Sequence, residues 1–292
     1  MMKQYKAEIF DTNPCHLGEG PIWHPQRNSL LWFDIVGRTL YERQINEEKA
    51  VKFELGLASS AAGWINEEEI LIANSQALIC LNLETKVSKH IADLENMDQT
   101  TRSNDGRADR HGGFWIGTMG WKMEKDKGAI YRYYRRELRK LFHPITIPNS
   151  ICFTPSGETA YFTDTSEQKI MRVSLDSMGW PKSDPEVFMN FQSDKINPDG
   201  SVVDLDGCFW NAQWGSARVA KYNPAGELLA IVEIEAPQSS CPAFGGEDLS
   251  TLYITSAREG MSKTSLNLYP KSGFVFSASL VGKGQKENQV II

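Results

Sequence analysis

The chain has 292 residues, 41% of them hydrophobic, with a formal net charge of −6 and a pI near 5.5. The acid excess and the lack of a clustered Lys/Arg block exclude nucleic acid as a partner, because phosphate neutralisation requires grouped cations. No stretch approaches 18 consecutive apolar residues, so no membrane span is expected, and Met1 to Phe10 carries Lys3, Lys6 and Glu8 with no apolar core of a signal peptide. Cys15, Cys80, Cys152, Cys208 and Cys241 are odd in number and scattered, and no two form a C-x-x-C pair. They indicate neither a disulfide framework nor a zinc knuckle, and a reducing cytoplasm is the expected compartment.

Six short segments share one form, an apolar or aromatic run followed by small or polar residues. In chain order they are Leu30 to Ile35, Ile70 to Asn74, Phe114 to Thr118, Ala160 to Asp164, Phe209 to Gln213 and Leu252 to Ser256. Each follows a turn-rich tract, such as His24 to Asn28, Asp109 to Gly113 or Asp204 to Gly207. There Gly supplies positive φ, and Asn or Asp supplies a local side-chain bond. A third strand follows each run: Thr39 to Arg43, Ala77 to Leu81, Ala129 to Tyr133, Lys169 to Val173, Arg218 to Tyr222 and Gly273 to Ser277. Fourth strands are weaker, Leu228 to Glu233 being an example. Helical periodicity is nearly absent, and the charged stretches Glu42 to Lys49 and Arg135 to Lys140 read as loops or strand ends. Several short strands recurring every 40 to 50 residues are the mark of propeller blades. The expectation is one all-β domain over residues 1–292, a six-bladed β-propeller.

In such a ring the first strand of each blade lines the channel, and its first residues sit at one mouth. Those segments are Gly18 to Pro21, Ala61 to Gly63, Ser103 to Gly106, Pro148 to Ser150, Pro198 to Gly200 and Phe244 to Gly246. Glu19, Asn104, Asn149 and Asp199 fall at one phase of the repeat, ten or eleven residues before the run that follows. The other two blades place Ala or Gly there, which leaves room. Taken singly, Asn104-Asp-Gly106 and Asn197-Pro-Asp-Gly200 are ordinary turn sequences. Matched phase in four blades points instead to a convergent site.

Two carboxylates and an amide oxygen, from Glu19, Asp199 and Asn149, form a hard all-oxygen set that suits Ca²⁺, Mg²⁺ or Mn²⁺. Three protein ligands would leave an ion open to substrate. The five histidines show no ligand spacing, with His16 a minor candidate because it lies near Glu19. No G-x-S-x-G, no Cys with an obvious partner His, and no phosphate loop or dinucleotide fingerprint is present. Metal-assisted hydrolysis is the route that remains, with a carboxylate at the ion as general base.

At these residues the chain resembles the regucalcin/gluconolactonase family, also called the senescence marker protein family. The resemblance runs from about Gly18 to about Leu280. It rests on Gly18-Glu-Gly-Pro-Ile-Trp23, Arg102-Ser-Asn-Asp-Gly106, Gly113 to Met119, Ile147-Pro-Asn-Ser150, Asn197-Pro-Asp-Gly200 and Cys241 to Gly246. It implies a six-bladed propeller that holds one divalent ion (Ca, Zn, Mg, Mn or Fe) and hydrolyses a sugar lactone to the aldonic acid. Carried over, the metal ligands are Glu19, Asn149 and Asp199, with Asp199 also the general base. Arg102 and Asn104 match substrate-contacting positions, and Asp105 lies beside them. One departure stands out. Animal regucalcins carry a glutamate after the Gly-Thr-Met motif, where this chain reads Gly117-Thr-Met-Gly-Trp-Lys122. Lys122 reverses the charge, which reads as a solvated lysine or, together with Trp121, as a fit to a substrate bearing an acidic group.

The leading expectation is therefore a metal-dependent sugar lactonase that takes a small-molecule lactone and acts as a monomer or weak homo-oligomer. A calcium-binding regulatory protein of the regucalcin type without turnover is the alternative. A propeller scaffold that binds proteins on its rim, or a hydrolase of other esters on the same metal site, are further readings.

Overall fold

The computed structural model describes residues 2–292. Its strands form six sheets of four antiparallel strands each, one of them extended by a fifth strand. Blade 1 comprises Gly18–His24, Ser29–Asp34, Thr39–Gln44 and Val51–Glu54. Blade 2 comprises Ser59–Trp64, Glu69–Asn74, Ala77–Asn82 and Ser88–Asp93. Blade 3 comprises Thr101–Ala108, Phe114–Gly120, Gly128–Tyr134 and Glu137–Ile145. Blade 4 comprises Pro148–Phe153, Thr159–Asp164, Lys169–Ser174 and Glu186–Asn190. Blade 5 comprises Asn197–Val203, Phe209–Trp214, Arg218–Tyr222 and Leu228–Glu233, and blade 6 is built on Ser239–Gly245, Thr251–Ser256 and Val275–Ser279. Each first strand packs against the first strands of both neighbouring blades, so the six enclose a central channel. The fold is the six-bladed propeller that the repeat predicts.

The near-continuous apolar runs follow from burial on both faces. Successive residues of a strand point to opposite sides of its sheet. In blade 1, Leu31 and Phe33 pack toward Ala62, Trp64, Ile70 and Ile72 of blade 2. Leu30 and Trp32 pack the other way, toward Ala243 and Tyr253 of blade 6. A strand buried on both faces loses polar alternation, as in a parallel sheet. All five cysteines are free and buried, as small hydrophobes.

The ring is closed by segments that carry no repeat signal. Glu8–Asp11 supplies the outermost strand of blade 6, paired antiparallel with Val275–Ser279, and Lys3–Lys6 adds a parallel strand to the outside of blade 5. The last ten residues run beneath the channel, at the end opposite the strand starts. There Val290 donates its N–H to Trp64 O at 2.9 Å, Ile291 to Gly112 O at 2.9 Å, and Gln285 Nε2 to Phe153 O at 2.8 Å.

Two local expectations need correction. Phe244 to Gly246 lies at the far end of its strand, next to the turn, and blade 6 begins at Ser239–Gly245 instead. The Gly pair mimicked the mouth motif because both mark tight backbone. In blade 2 the strand likewise begins two residues earlier than Ala61, at Ser59. Arg135 to Lys140 is a turn and a strand end, as expected, since Glu137–Ile145 pairs with Gly128–Tyr134 and carries polar residues on its outward edge. A short helix, Lys263–Leu268, sits in the long connection between the second and third strands of blade 6, with Ser262 Oγ accepting from Ser265 N–H as its cap. No helix among the described residues is long and apolar enough to cross a membrane.

Blades 3 and 5 carry the same internal brace. Asp109 accepts from the His111, Gly113 and Trp115 N–H groups, and Asp204 from those of Asp206, Cys208 and Trp210. Asp109 also meets the Arg132 guanidinium at 2.6 Å with both side chains buried, and Asp204 meets Lys221 at 2.9 Å. Removing one partner of a buried pair strands the other charge, at about 3–5 kcal/mol. Asp109→Ala is accordingly expected to lower unfolding stability by about that amount in urea titration, while Asp98→Ala, which breaks an exposed pair with Lys127, changes it by under about 1 kcal/mol.

Candidate functional site

Every first strand is bulged near its start. Register shifts occur between Glu19 and Ile22, Ser59 and Ala61, Ser103 and Gly106, Asn149 and Cys152, Pro198 and Ser201, and Ser239 and Pro242. A bulge re-aims the side chains beside it. Six of them at one level turn residues that would face a neighbouring blade toward the channel mouth. At Gly20 the bulge demands φ of 52°, and an added Cβ would collide with the Ser60 carbonyl oxygen. Ser150 adopts the same left-handed conformation at φ 59° without being glycine.

The three blades without a candidate metal ligand or substrate contact at this level, or with a spare hydroxyl beside one, tie the mouth together. Ser60 Oγ donates to Asn104 O, Ser150 Oγ to Asp199 O and Ser240 Oγ to Gly18 O, each at 2.5 Å. These bonds alternate around the ring, from blade 2 to 3, 4 to 5 and 6 to 1. Asn211 Nδ2 adds a second donor to Asp199 O at 3.2 Å. The main chain carrying the candidate residues is thereby fixed.

An open cavity of about 590 Å³ lies over the mouth. Glu19, Asn149, Asp199, Arg102 and Asn104 all line it. A single run of hydrogen bonds joins most of them. Arg102 Nη1 donates to Asn104 Oδ1 at 2.7 Å, Asn104 Nδ2 to Asn149 Oδ1 at 2.7 Å, Asn149 Nδ2 to Thr165 Oγ1 at 2.9 Å, and Thr165 Oγ1 to Pro198 O at 2.7 Å. Thr165 has its own proton committed to Pro198, so it must accept from Asn149. That sets which end of the Asn149 amide faces the mouth, and it is the oxygen. Arg102 also donates Nη1 to Ser103 O at 2.9 Å, while its Nε and Nη2 make no hydrogen bond to protein.

The electrostatics are dominated by buried acid. Glu19 and Asp199 share a wall of the cavity, close enough for each carboxyl to shift the titration of the other. Burial pushes both well above the usual carboxylate range; the Asp105 charge raises Glu19 further, and the charges of Glu19 and Asp105 raise Asp199 further. Asp105 does not line the cavity. It sits behind, with Oδ2 accepting the Ile151 N–H at 2.7 Å, and burial raises its pKa to about 6. Burial draws Arg102 down, against the pull of Glu259, Glu19 and Asp199. Three acids at one channel end with two arginines, Arg102 and Arg107, nearby form a set short of positive charge. Two adjoining carboxyls and an inward amide oxygen are the donors that a hard divalent cation takes.

Sequence reasoning missed part of the lining. Thr165, Ser166, Gln238 and Glu259 come from connections that reach the mouth, and Asn197 and Trp214 from the first residue of a first strand and the last of a second strand in blade 5, so counting one phase of the repeat passes over them. Their signal was positional, since each ends or follows a second strand, or begins or precedes a first one. Lys122 falls outside the cavity. It lies on the exposed turn after the second strand of blade 3, where its N–H donates to Glu124 Oε2 at 3.0 Å. Its neighbour Met123 lines the cavity, and Trp121 stands 5.9 Å from the Arg102 guanidinium. His16 is also absent from the lining.

A propeller with a polar, acid-rich mouth defines a class, and comparison with known proteins fixes the family. Residues 17–258 match the SMP-30/Gluconolactonase/LRE-like region. The chain belongs to that family. It is 39% identical to a protein of Rhizobium meliloti (strain 1021), provisionally named a sugar lactone lactonase, over 97% of this chain and 96% of that one. It is 32% identical to the L-arabinolactonase of Azospirillum brasilense, over 90% and 88% of the two chains. The crystal structure of a calcium-binding protein, regucalcin, from Agrobacterium tumefaciens superposes with a TM-score of 0.97 at 37% identity, covering 100% of both chains.

The raised carboxyls have a measurable consequence. A carboxyl whose folded pKa lies above its unfolded one leaves the folded state holding more protons, so stability falls as pH rises between the two values. For Asp105 that window runs from 3.8 to about 6. In cation-free protein, urea unfolding is expected to show stability falling as pH rises from about 4 through 6, with Glu19 and Asp199 extending the loss upward. Asp105→Asn keeps the acceptor for Ile151 and is expected to remove on the order of 3 kcal/mol of that loss. An unchanged pH profile in the variant would show that Asp105 does not contribute.

Proposed function

We propose that this protein is a lactonase that opens a sugar lactone to its aldonic acid, with Glu19, Asn149 and Asp199 holding one divalent cation. The observation that carries this reading is the paired, buried carboxyls of Glu19 and Asp199 beside the fixed oxygen of Asn149, all on the wall of a cavity large enough for a monosaccharide. The lactonase names of the Rhizobium and Azospirillum relatives support the reaction class. When bound, the cation polarises the lactone carbonyl and neutralises the crowded acids.

The chain's own groups account for the rest. Arg102 presents Nε and Nη2 to the cavity, free of protein acceptors, and these donors hold ring hydroxyls. Asn104, pinned between Arg102 and Asn149, keeps Arg102 in place. Asp199, as general base, takes a proton from water while the water oxygen adds to the carbonyl carbon. The bond from that carbon to the ring oxygen then breaks, and the ring oxygen gains a proton. A ring ester and water thus become a carboxylic acid and a hydroxyl. Leu17, Met119, Ile147 and Trp214 give the cavity an apolar side against which the C–H face of a sugar packs.

Asp199→Asn preserves shape and removes the base. It is expected to lower kcat on aldono-lactones by 10²–10⁴-fold, about the range of general base catalysis, with unchanged circular dichroism. Chelation followed by dialysis is expected to abolish lactone opening, and one of Ca²⁺, Zn²⁺, Mg²⁺, Mn²⁺ or Fe²⁺ to restore it, read by acid release. Full activity in the Asn variant would refute the role of Asp199. A tight calcium isotherm with no turnover across a lactone panel would favour the regulatory alternative.

A further inference from the structure

We infer that a second, smaller pocket behind Trp121 is a subsite for an anionic group at the end of the substrate remote from the lactone carbonyl. The inference rests on the lactonase reading above and adds a substrate class to it. The pocket holds about 220 Å³. Arg38, Ser75, Gln76, Gln99, Thr101 and Trp121 form its polar and aromatic walls. They come from the connections of blades 1, 2 and 3 on the face that carries the main cavity.

The two spaces share a wall. Thr101 faces the pocket and Arg102, the next residue, faces the cavity. Trp121 faces the pocket, and Met119 and Met123 on either side of it face the cavity. The Trp121 N–H donates to Thr100 O at 3.0 Å, which ties this turn to the start of the blade's first strand. Trp121 is nonetheless 43% exposed, which is unusual for the largest apolar side chain, and its ring lies against Arg102. Trp121 thus stands between Arg102 of the cavity and the smaller pocket.

Charge assigns the ligand class. Arg38 donates one bond, Nη1 to Gly56 O at 3.2 Å, and takes part in none of the ion pairs among the described residues. Of the acids on the surrounding elements, exposed Glu54 beside Thr39 makes no ion pair and Glu95 Oε2 has no partner, while the others are engaged. Asp34 accepts the His16, Leu17 and Gly37 N–H groups, Glu95 accepts from Thr118 and Tyr131, and Asp98 pairs with Lys127. The side chains of Ser75, Gln76 and Gln99 make no hydrogen bond among the described residues, so a guanidinium and three neutral donors face one space. Lys122 follows Trp121 on the rim and likewise has no ion-pair partner among the described residues. The main cavity is the reverse, with Glu19, Asp199 and Glu259 on its wall and Asp105 behind. There a bound cation and Arg102 are already matched to the acids, whereas Arg38 across Trp121 offers an anionic substituent a cation with no ion-pair partner among the described residues. Carboxylate, sulfonate and phosphate share the required chemistry.

The test compares a neutral aldono-lactone with an aldaro-lactone, which carries a carboxylate at the far carbon, in wild type and Arg38→Gln. Wild type is expected to favour the acidic lactone in kcat/KM. Arg38→Gln is expected to reduce the acidic-to-neutral ratio by roughly 10- to 100-fold, the loss of one charge-assisted hydrogen bond, mainly through KM for the acidic lactone. Equal changes on both substrates, or none, would overturn the subsite. If wild type opens neither lactone, the lactonase reading fails by itself. Calorimetry with the open-chain aldarate then decides the subsite, since binding weakened by Arg38→Gln supports it and binding that is absent or unaffected overturns it.

Discussion

Three carboxyl groups, those of Glu19, Asp105 and Asp199, are buried together at one end of a channel, and the architecture around them answers the cost of putting them there. Like charges in a place with little water repel and resist ionisation. No blade could hold such a set alone. Glu19 comes from blade 1, Asp105 from blade 3 and Asp199 from blade 5. Their approach is imposed by ring closure, and ring closure comes from large apolar faces between blades. The driving force that gathers the acids is thus remote from them. Trp32, Trp115 and Trp210 are fully buried and pack between blades or within them.

The mouth is held rigid by backbone more than by side chains. The bulges turn six strand starts inward at one level. Ser60, Ser150 and Ser240 then bind the carbonyls of the next blade, so carrier strands are fastened at alternate junctions. Thr165 fixes the Asn149 amide by donating elsewhere. Asn149 owes its orientation to an accepting hydroxyl from its own blade and to a main-chain oxygen in blade 5. Such supporting contacts are what a preorganised site requires.

The repeat was legible because each second strand is buried on both faces and so reads as an apolar run of fixed spacing. The phase of Glu19, Asn104, Asn149 and Asp199 was legible for the same reason, since counting back from a run locates a strand start. Phe244 to Gly246 shows the limit. A Gly pair marks tight backbone, and nothing in the residues says at which end of the strand it falls. Glu8–Asp11 and the last ten residues were illegible for another cause. Their fit depends on partners far away in sequence, 82 residues for Gln285 and Val203 and more than 200 for Val290 and Trp64. Thr165 and Glu259 were passed over because loops bear no period. The bulges themselves leave no sequence mark, because each depends on a register shift between two strands.

The closed lower end gives the channel a direction. The terminal segment packs beneath it, with the Trp64 indole donating to Glu287 O at 2.9 Å and Gln285 bonded to Phe153 and Val203. Ligand can therefore approach the acids only from the strand-start face, where every connection after a second strand and before a first one also emerges. This separates two tasks in the sequence. Glu19, Asn104, Asn149 and Asp199 stand on bulged inner strands, where a change disturbs several blades at once. Arg38, Gln76, Gln99, Trp121, Trp214 and Glu259 stand on or beside connections, where side chains change at little cost to the ring. A family that keeps one set and varies the other keeps its reaction and changes its substrate. Lys122 and Trp121 lie in the second set, on the turn nearest Arg102, which is where a difference in the charge of the substrate would be read.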